Sequence, residues 1–214
     1  MEKDLSNIRQ NFQKDELLEK NTPDNPMELF RDWYMDAEKE EPGEANCLTI
    51  STVGNDLQPT NRVVLLKRFT WEGFIFYTNY NSKKGQDIGH NNQVCASFFW
   101  HNLERQIIIK GTAEKIAENL SDGYFESRPR GSQLGALASD QSQVVESREK
   151  LDQKLNELEN QYKNKDIPRP KNWGGYIIKP TRIEFWQGRP NRMHDRISFT
   201  LQEDFDWKKQ RLAP

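Results

Sequence analysis

What the chain lacks narrows its reading first. Among 214 residues there are two cysteines, Cys47 and Cys95, far apart and in no Cys-x-x-Cys pair. That pattern argues against a disulfide framework and fits a reducing, cytoplasmic compartment. Three histidines, His90, His101 and His194, show no His-Glu-x-x-His spacing, so no dedicated metal site is expected. No apolar run approaches the ~20 residues of a membrane span, the longest being short pieces such as Val63 to Leu66. No membrane association is expected, and the polar amino terminus does not read as a secretory signal. Charge of one sign is missing too. Lys plus Arg number 31 against 33 Asp plus Glu, a net charge of −2, which removes the broad basic field of a nucleic-acid binder.

Apolar residues are also scarce, at 34% of a chain with mean hydropathy −0.98. That length still allows one large domain or two small ones. Disorder is opposed by 11% aromatic residues, including six tryptophans. A thin apolar supply with many aromatic rings predicts a compact domain that completes its core in an oligomer.

The period of the pattern then divides the chain. The first forty residues read as helical, and Asn25-Pro26 is a start signal, a polar cap followed by proline. Met27, Phe30, Trp33 and Tyr34 follow as one stripe. Residues 1–24 are polar and charged, an arm that is mobile or covers a partner, and 25–214 form a single domain. Strands are predicted at Leu48–Thr52, Asn61–Phe69, Gly73–Thr78, Val94–Trp100 and Arg105–Ile116. Residues 117–163 return to helix, with Leu151, Leu155, Leu158 and Tyr162 in a row. After Pro168 and Pro170 come strands at Gly175–Lys179, Arg182–Trp186 and Arg196–Leu201. Short strands on tight connections, without regular alternation with helices, predict an antiparallel barrel or sandwich with flanking helices.

Three clusters could carry chemistry. Arg62-Val63-Val64-Leu65-Leu66-Lys67 is a strand with a cation at each end, on opposite faces by alternation. These are solvated strand ends or, together with Lys83-Lys84 behind a capping Ser82, an anion site at a helix start. Tyr124 and Arg128 share a helix face, and Ser132 extends the row if the helix continues through Pro129. Three such donors suit a phosphate monoester, and an exposed arginine-rich turn is the plain alternative. Finally, Arg192, His194 and Arg196 alternate after a Gly-Arg-Pro-Asn loop and would project to one face of an extended chain. They await a negative ligand, or a salt-bridge network with Glu184 or Asp195.

The stretch EFWQGRPNRMHDR at 184–196 resembles the signature of the pyridoxine (pyridoxamine) 5'-phosphate oxidase family. So do RVVLLK at 62–67, FYTN at 76–79, ERQ at 104–106, YFESRPR at 124–130, QS at 141–142 and the closing residues 206–214. The resemblance covers roughly residues 25 to 214. It implies a homodimeric split β-barrel that binds FMN at the subunit interface. The implied reaction oxidises pyridoxine 5'-phosphate and pyridoxamine 5'-phosphate to pyridoxal 5'-phosphate. O₂ is the electron acceptor, hydrogen peroxide the product, and ammonia is released from the amine. By the same resemblance Arg62, Val63, Val64, Leu65, Leu66 and Lys67 line FMN, with Tyr77, Thr78, Lys83, Lys84 and Gln106. Gln141, Ser142, Trp186 and Arg196 come from the other subunit. Lys67, Tyr124, Arg128 and Ser132 hold the substrate phosphate, and Arg192 and His194 hold its ring and act in catalysis.

Two positions depart from the family pattern. Lys83 stands where an arginine is common, which keeps the charge but loses the two-pronged fork to phosphate. Phe12 stands where a tyrosine is often found, near Arg9, and neither is counted among the site residues. The alternatives are a split-barrel FMN reductase of another compound, or a non-catalytic module that binds flavin or pyridoxal phosphate.

Overall fold

The computed structural model describes residues 3–8, 11–41 and 43–214. Helix α1 (Pro26–Glu40) starts where the pattern placed it. The Asn25 side chain accepts from the Met27 N–H, and proline in the first turn leaves no donor unpaired. Its stripe of Met27, Leu29, Phe30, Trp33 and Ala37 is buried. The rest of the first forty residues departs from the helical expectation. Residues 11–25 are non-helical apart from a 3₁₀ turn at Glu19–Asn21. They hold few apolar side chains to form a helical stripe, and side chains elsewhere satisfy the extended backbone instead. Glu104 accepts from the Gln13 and Lys14 N–H groups, Asp195 accepts from Leu17, and Arg211 donates to the Leu17 carbonyl.

Nine strands follow among the described residues: β1 (Cys47–Val53), β2 (Pro59–Leu65), β3 (Arg68–Thr70), β4 (Gly73–Asn79), β5 (Gln93–Trp100), β6 (Arg105–Lys115), β7 (Trp173–Gln187), β8 (Asp195–Leu201) and β9 (Trp207–Leu212). The sheet runs β2-β1-β5-β6-β7-β4-β3, with β8 on β7 and β9 on β8. The β3–β4, β4–β7, β7–β8 and β8–β9 pairs are antiparallel. Helices α2 (Lys83–His90), α3 (Glu118–Ser127), α4 (Arg130–Ala138) and α5 (Arg148–Gln161) complete the set. None is long and apolar enough to cross a membrane.

Two strand boundaries differ from expectation. The single strand at 61–69 is two strands, because Leu66 turns into the core while the Lys67 N–H donates to Ile75. Conversely, the two strands expected at 175–179 and 182–186 are one, running through Pro180. The strand changes partner there, pairing with β4 up to Ile178 and with β8 from Arg182. Pro180, which has no N–H to give, sits between those two pairings.

The chain groups into two compact units. One comprises residues up to Leu48 with Ala96–Lys110 and Pro180–Pro214; the other is Thr49–Cys95 with Gly111–Lys179. The first unit packs aromatic rings: Phe30 on Phe98 at 5.5 Å, Trp33 edge-on to Phe185 at 5.2 Å, and Phe185 on Phe199 at 5.8 Å. The second buries Phe74, Phe76 and Ile178 in its sheet. Beneath its helices Phe125, Leu134, Ile167 and Trp173 form a separate small core, against which Leu155, Leu158 and Tyr162 of the predicted row pack.

Candidate active site

The second unit contains a cavity of about 450 Å³. Val63, Val64 and Leu65 reach it from the end of β2, Lys67 from the break after it, Tyr77 and Thr78 from β4, and Lys84 from the first turn of α2. Tyr124, Arg128, Ser132 and Gln141 complete its wall from the helical side. The helix holding Tyr124 does not continue to Ser132. α3 stops at Ser127, Arg128 and Pro129 are extended, and α4 begins at Arg130. Pro129 disfavours helical backbone at the residue before it, so Ser132 comes from the next helix and still faces the same space.

The electrostatics of this cavity are unusual. Lys84 is buried, and its Nζ donates to Thr78 Oγ1 at 3.1 Å, Gln141 Oε1 at 3.2 Å and Ser82 Oγ at 3.5 Å. All three acceptors are neutral. Burial, with the nearby Arg62 charge, pushes its pKa down to about 8. The Arg128 guanidinium lies over the Trp173 ring, 4.6 Å from its centroid, and its Nη1 is buried with no hydrogen-bond partner. Among the described residues no carboxylate pairs with either cation. A buried donor without an acceptor costs about 1–3 kcal/mol, more when charged, so the residues present fit a group that brings negative oxygens. Tyr77, Tyr124 and Trp173 form one wall, Tyr77 stacking on Tyr124 at 3.9 Å and on Trp173 at 5.6 Å. Burial raises both tyrosine pKa values, so the phenols stay protonated donors.

Arg62, Leu66, Lys83 and Ser142 do not line this cavity. Leu66 is core, and Ser142 is exposed in a left-handed turn, φ 71°. Arg62 donates to Thr52 Oγ1 at 2.8 Å and to the Ile50 carbonyl at 3.2 Å. Lys83 Nζ lies 2.6 Å from Asp87, and Arg62 4.0 Å from it. Burial alone would raise the Asp87 carboxyl, yet the bonds from Lys83 and Thr52 hold it below the usual range. Gly54 is required beside it, since a Cβ there would collide with Asp87 Oδ1. Two of the four expected cations are thus neutralised by a carboxylate that sequence patterning did not single out. Patterning also passed over Asn79, Gly135, Ala136, Ser139 and Trp173, which line the cavity. Trp173 alone gave a signal, an aromatic residue opening a strand directly after the proline-bounded linker. Gln141, which the resemblance gives to the other subunit, bonds here to Thr78 and Lys84 of its own chain.

Gln106, Trp186, Arg192, His194 and Arg196 belong to the first unit. Gln106 is half-buried on β6. The expected row of Arg192, His194 and Arg196 on one face does not form. Pro190–Arg192 is a 3₁₀ turn with Asn191 and Arg192 at φ 57° and 60°, and β8 begins only at Asp195. Arg196 takes the salt-bridge alternative, 2.7 Å from Glu184. Asp195, on the other face, holds Arg211 at 2.7 Å and Arg189 at 3.5 Å. Arg192 and His194 instead share a cavity of about 540 Å³ with Phe12, Arg189 and Asn191. The His194 ring packs on Trp186 at 4.7 Å, and Phe12 stands edge-on to both. His194 Nδ1 accepts from the Arg189 N–H at 3.1 Å, which leaves the neutral ring's proton on Nε2. Burial, then the Arg192 charge, lowers its pKa below the ordinary 6.5. Arg192 is exposed and, among the described residues, unpaired. Arg9 lies outside the described residues.

Residues 35–186 match the family model described as pyridoxamine 5'-phosphate oxidase, and residues 173–214 match the one described as the pyridoxine 5'-phosphate oxidase C-terminal dimerisation region. A pyridoxine/pyridoxamine 5'-phosphate oxidase of Flavobacterium psychrophilum is 60% identical over 215 residues, 99% of this chain and 100% of that protein. One from Acaryochloris marina is 48% identical, covering 98% of this chain and 95% of that protein. Among solved structures, PhzG from Burkholderia lata, in complex with tetrahydrophenazine-1-carboxylic acid, aligns with a TM-score of 0.87 at 27% identity, over 94% of this chain and 98% of that one.

Proposed function

The chain belongs to the pyridoxine/pyridoxamine 5'-phosphate oxidase family and is an oxidoreductase of split-barrel fold; from that premise we propose that it oxidises pyridoxine 5'-phosphate and pyridoxamine 5'-phosphate to pyridoxal 5'-phosphate with FMN as cofactor. The observation that carries this reading is one cavity whose three cations lack a carboxylate among the described residues, the exposed Lys67 and, drawn partly or wholly out of water, Lys84 and Arg128. A flavin mononucleotide and a phosphorylated substrate bring one phosphate each. A simple flavin binder would need only one such cation.

In this reading Lys67, Tyr124, Arg128 and Ser132 bind the substrate phosphate, a charge the guanidinium meets with parallel N–H donors. Val63, Val64, Leu65, Tyr77, Thr78, Lys84 and Gln141 hold FMN from the opposite wall, and the Arg62–Lys83–Asp87 network backs them. When bound, FMN would supply the redox chemistry, hydride acceptance from the carbon that bears the hydroxyl or amine and return of the electrons to O₂. The alcohol and O₂ give the aldehyde and hydrogen peroxide; the amine also consumes water and releases ammonia. Arg192 stabilises negative charge developing at the phenolic oxygen. His194, neutral with its proton on Nε2, donates to the substrate.

The site is completed in a homodimer, with Ser142, Trp186 and Arg196 contributed across the interface. The dimerisation description of the match at 173–214 supports this, as does Val63, 62% exposed in the middle of the cofactor strand. Anaerobic addition of pyridoxine 5'-phosphate to the FMN-loaded protein tests the reading. Bleaching of the visible absorbance, reversed by air, is the expected result. A spectrum unchanged by either phosphorylated substrate would instead favour a binding module or a reductase of another compound.

A further inference from the structure

Arg128 occupies a position that nothing charged explains. It lies at the end of α3, its backbone turned extended by the following proline, and its guanidinium is held by no carboxylate among the described residues. What holds it is a ring. The Cζ atom is 4.6 Å from the Trp173 centroid, against 5.8 Å for Phe125, well inside the ~6 Å range of a cation–π contact. Trp173 is itself over-determined. It is buried, its ring stacks nearly parallel to those of Tyr77 and Tyr124 (13° and 9°), and its carbonyl accepts from Arg169, which Asp122 fixes in turn. A flat, immobile face under a guanidinium removes its freedom to swing without using any of its N–H groups. The buried, unpartnered Nη1 is one of those left free.

We infer that Trp173 is a positioning residue for the phosphate site: its indole face presents Arg128 so that the unused N–H edge meets the phosphate of the substrate. The inference rests on the reading above that Arg128 binds that phosphate. A ring that only filled the core would contribute equally whether or not Arg128 were present.

The experiment is a double-mutant cycle on the FMN-loaded protein, read as the affinity for pyridoxal 5'-phosphate, with pyridoxal as the phosphate-free control and the FMN dissociation constant measured alongside. Trp173→Leu is expected to weaken pyridoxal 5'-phosphate binding about tenfold, and Trp173→Phe, which keeps a flat face, by about threefold or less. Pyridoxal and FMN binding should not change. In an Arg128→Ala background, Trp173→Leu should cost nothing further. An equal loss in that background, or an equal loss for pyridoxal, would overturn the positioning role and leave the phosphate assignment standing. If Arg128→Ala itself leaves pyridoxal 5'-phosphate affinity unchanged, the assignment of the phosphate fails, and this inference with it. Should thermal melting show Trp173→Leu to be unfolded, the same cycle with Trp173→Met, which fills the site without a flat face, reads the coupling, and its absence there would be decisive against the role.

Discussion

Arg105, Arg189, Arg196 and Arg211 in the first unit each reach at least one carboxylate, whereas Lys84 and Arg128 in the cavity of the second reach none among the described residues. Arg105 is the fullest case: buried, bonded to Asp15 and Asp36, donating to Gln187 and lying over Trp33. Each of its three nitrogens has a partner within the chain. Lys84 is as deeply buried and has only hydroxyls and an amide. Both arrangements keep a cation out of water, and only the first compensates it within the chain. Among cations drawn out of water, the paired ones are therefore architecture, and an unpaired one leaves room for an anion. Among the described arginines of the first unit Arg192 is the exception, and it is the residue there to which the proposed chemistry falls.

Substitutions on the two sides of this divide should separate turnover from stability. Arg192→Met is expected to lower turnover by about a hundredfold or more while leaving FMN bound, as removal of a charge stabiliser does; unaltered turnover would remove Arg192 from the mechanism. Arg105→Met should destabilise the fold by about 2–3 kcal/mol through lost ion pairs and an orphaned Gln187, seen as a lower melting temperature. A melting curve that did not move would show that pairing there is ornamental and break the comparison. Arg128→Ala should raise KM for the phosphorylated substrate by about tenfold or more with little change in kcat, the mark of binding common to ground and transition states. Loss of flavin instead would place its phosphate contact wrongly.

Lys84→Met gives the mildest and sharpest test. It should weaken FMN binding by about tenfold and yet raise the melting temperature of the ligand-free protein, because it removes a buried charge. The pH dependence has a definite sign. Below about 8 the folded chain must carry the buried cation, while the unfolded chain binds the same proton more readily up to 10.5. Ligand-free stability should rise with pH across that window, and FMN affinity should fall as pH climbs past about 8. In the methionine variant both trends should be absent.

The helix starts and much of the strand set were legible because they rest on local chemistry: Asn25 and Ser82 cap where a short polar side chain can reach back to an amide. The extended arm was not legible, because Glu104, Asp195 and Arg211, which satisfy its backbone, lie about 90 or more positions away in the sequence. Period alone also failed at Arg192, since an alternation argument presumes extended backbone and two left-handed residues cancel it. The cations expected at the site were found by residue type, and their division into paired ones outside the cavity and unpaired ones within it was invisible. It depends on Asp87, an acid among many in a helix, meeting Thr52, Lys83 and Arg62 from three different elements.

Asn191 and Arg192 sit side by side in left-handed backbone. Asparagine tolerates that region, whereas for an arginine it costs about 1–2 kcal/mol. Arg192→Gly would relieve that local cost, while the freer unfolded chain would return about 0.5–1 kcal/mol against it. The difference leaves about 0.5–1 kcal/mol in favour of glycine. A library of this chain sorted by expression, protease resistance or melting would therefore not select arginine at position 192. The same library sorted by flavin reduction would register it at once.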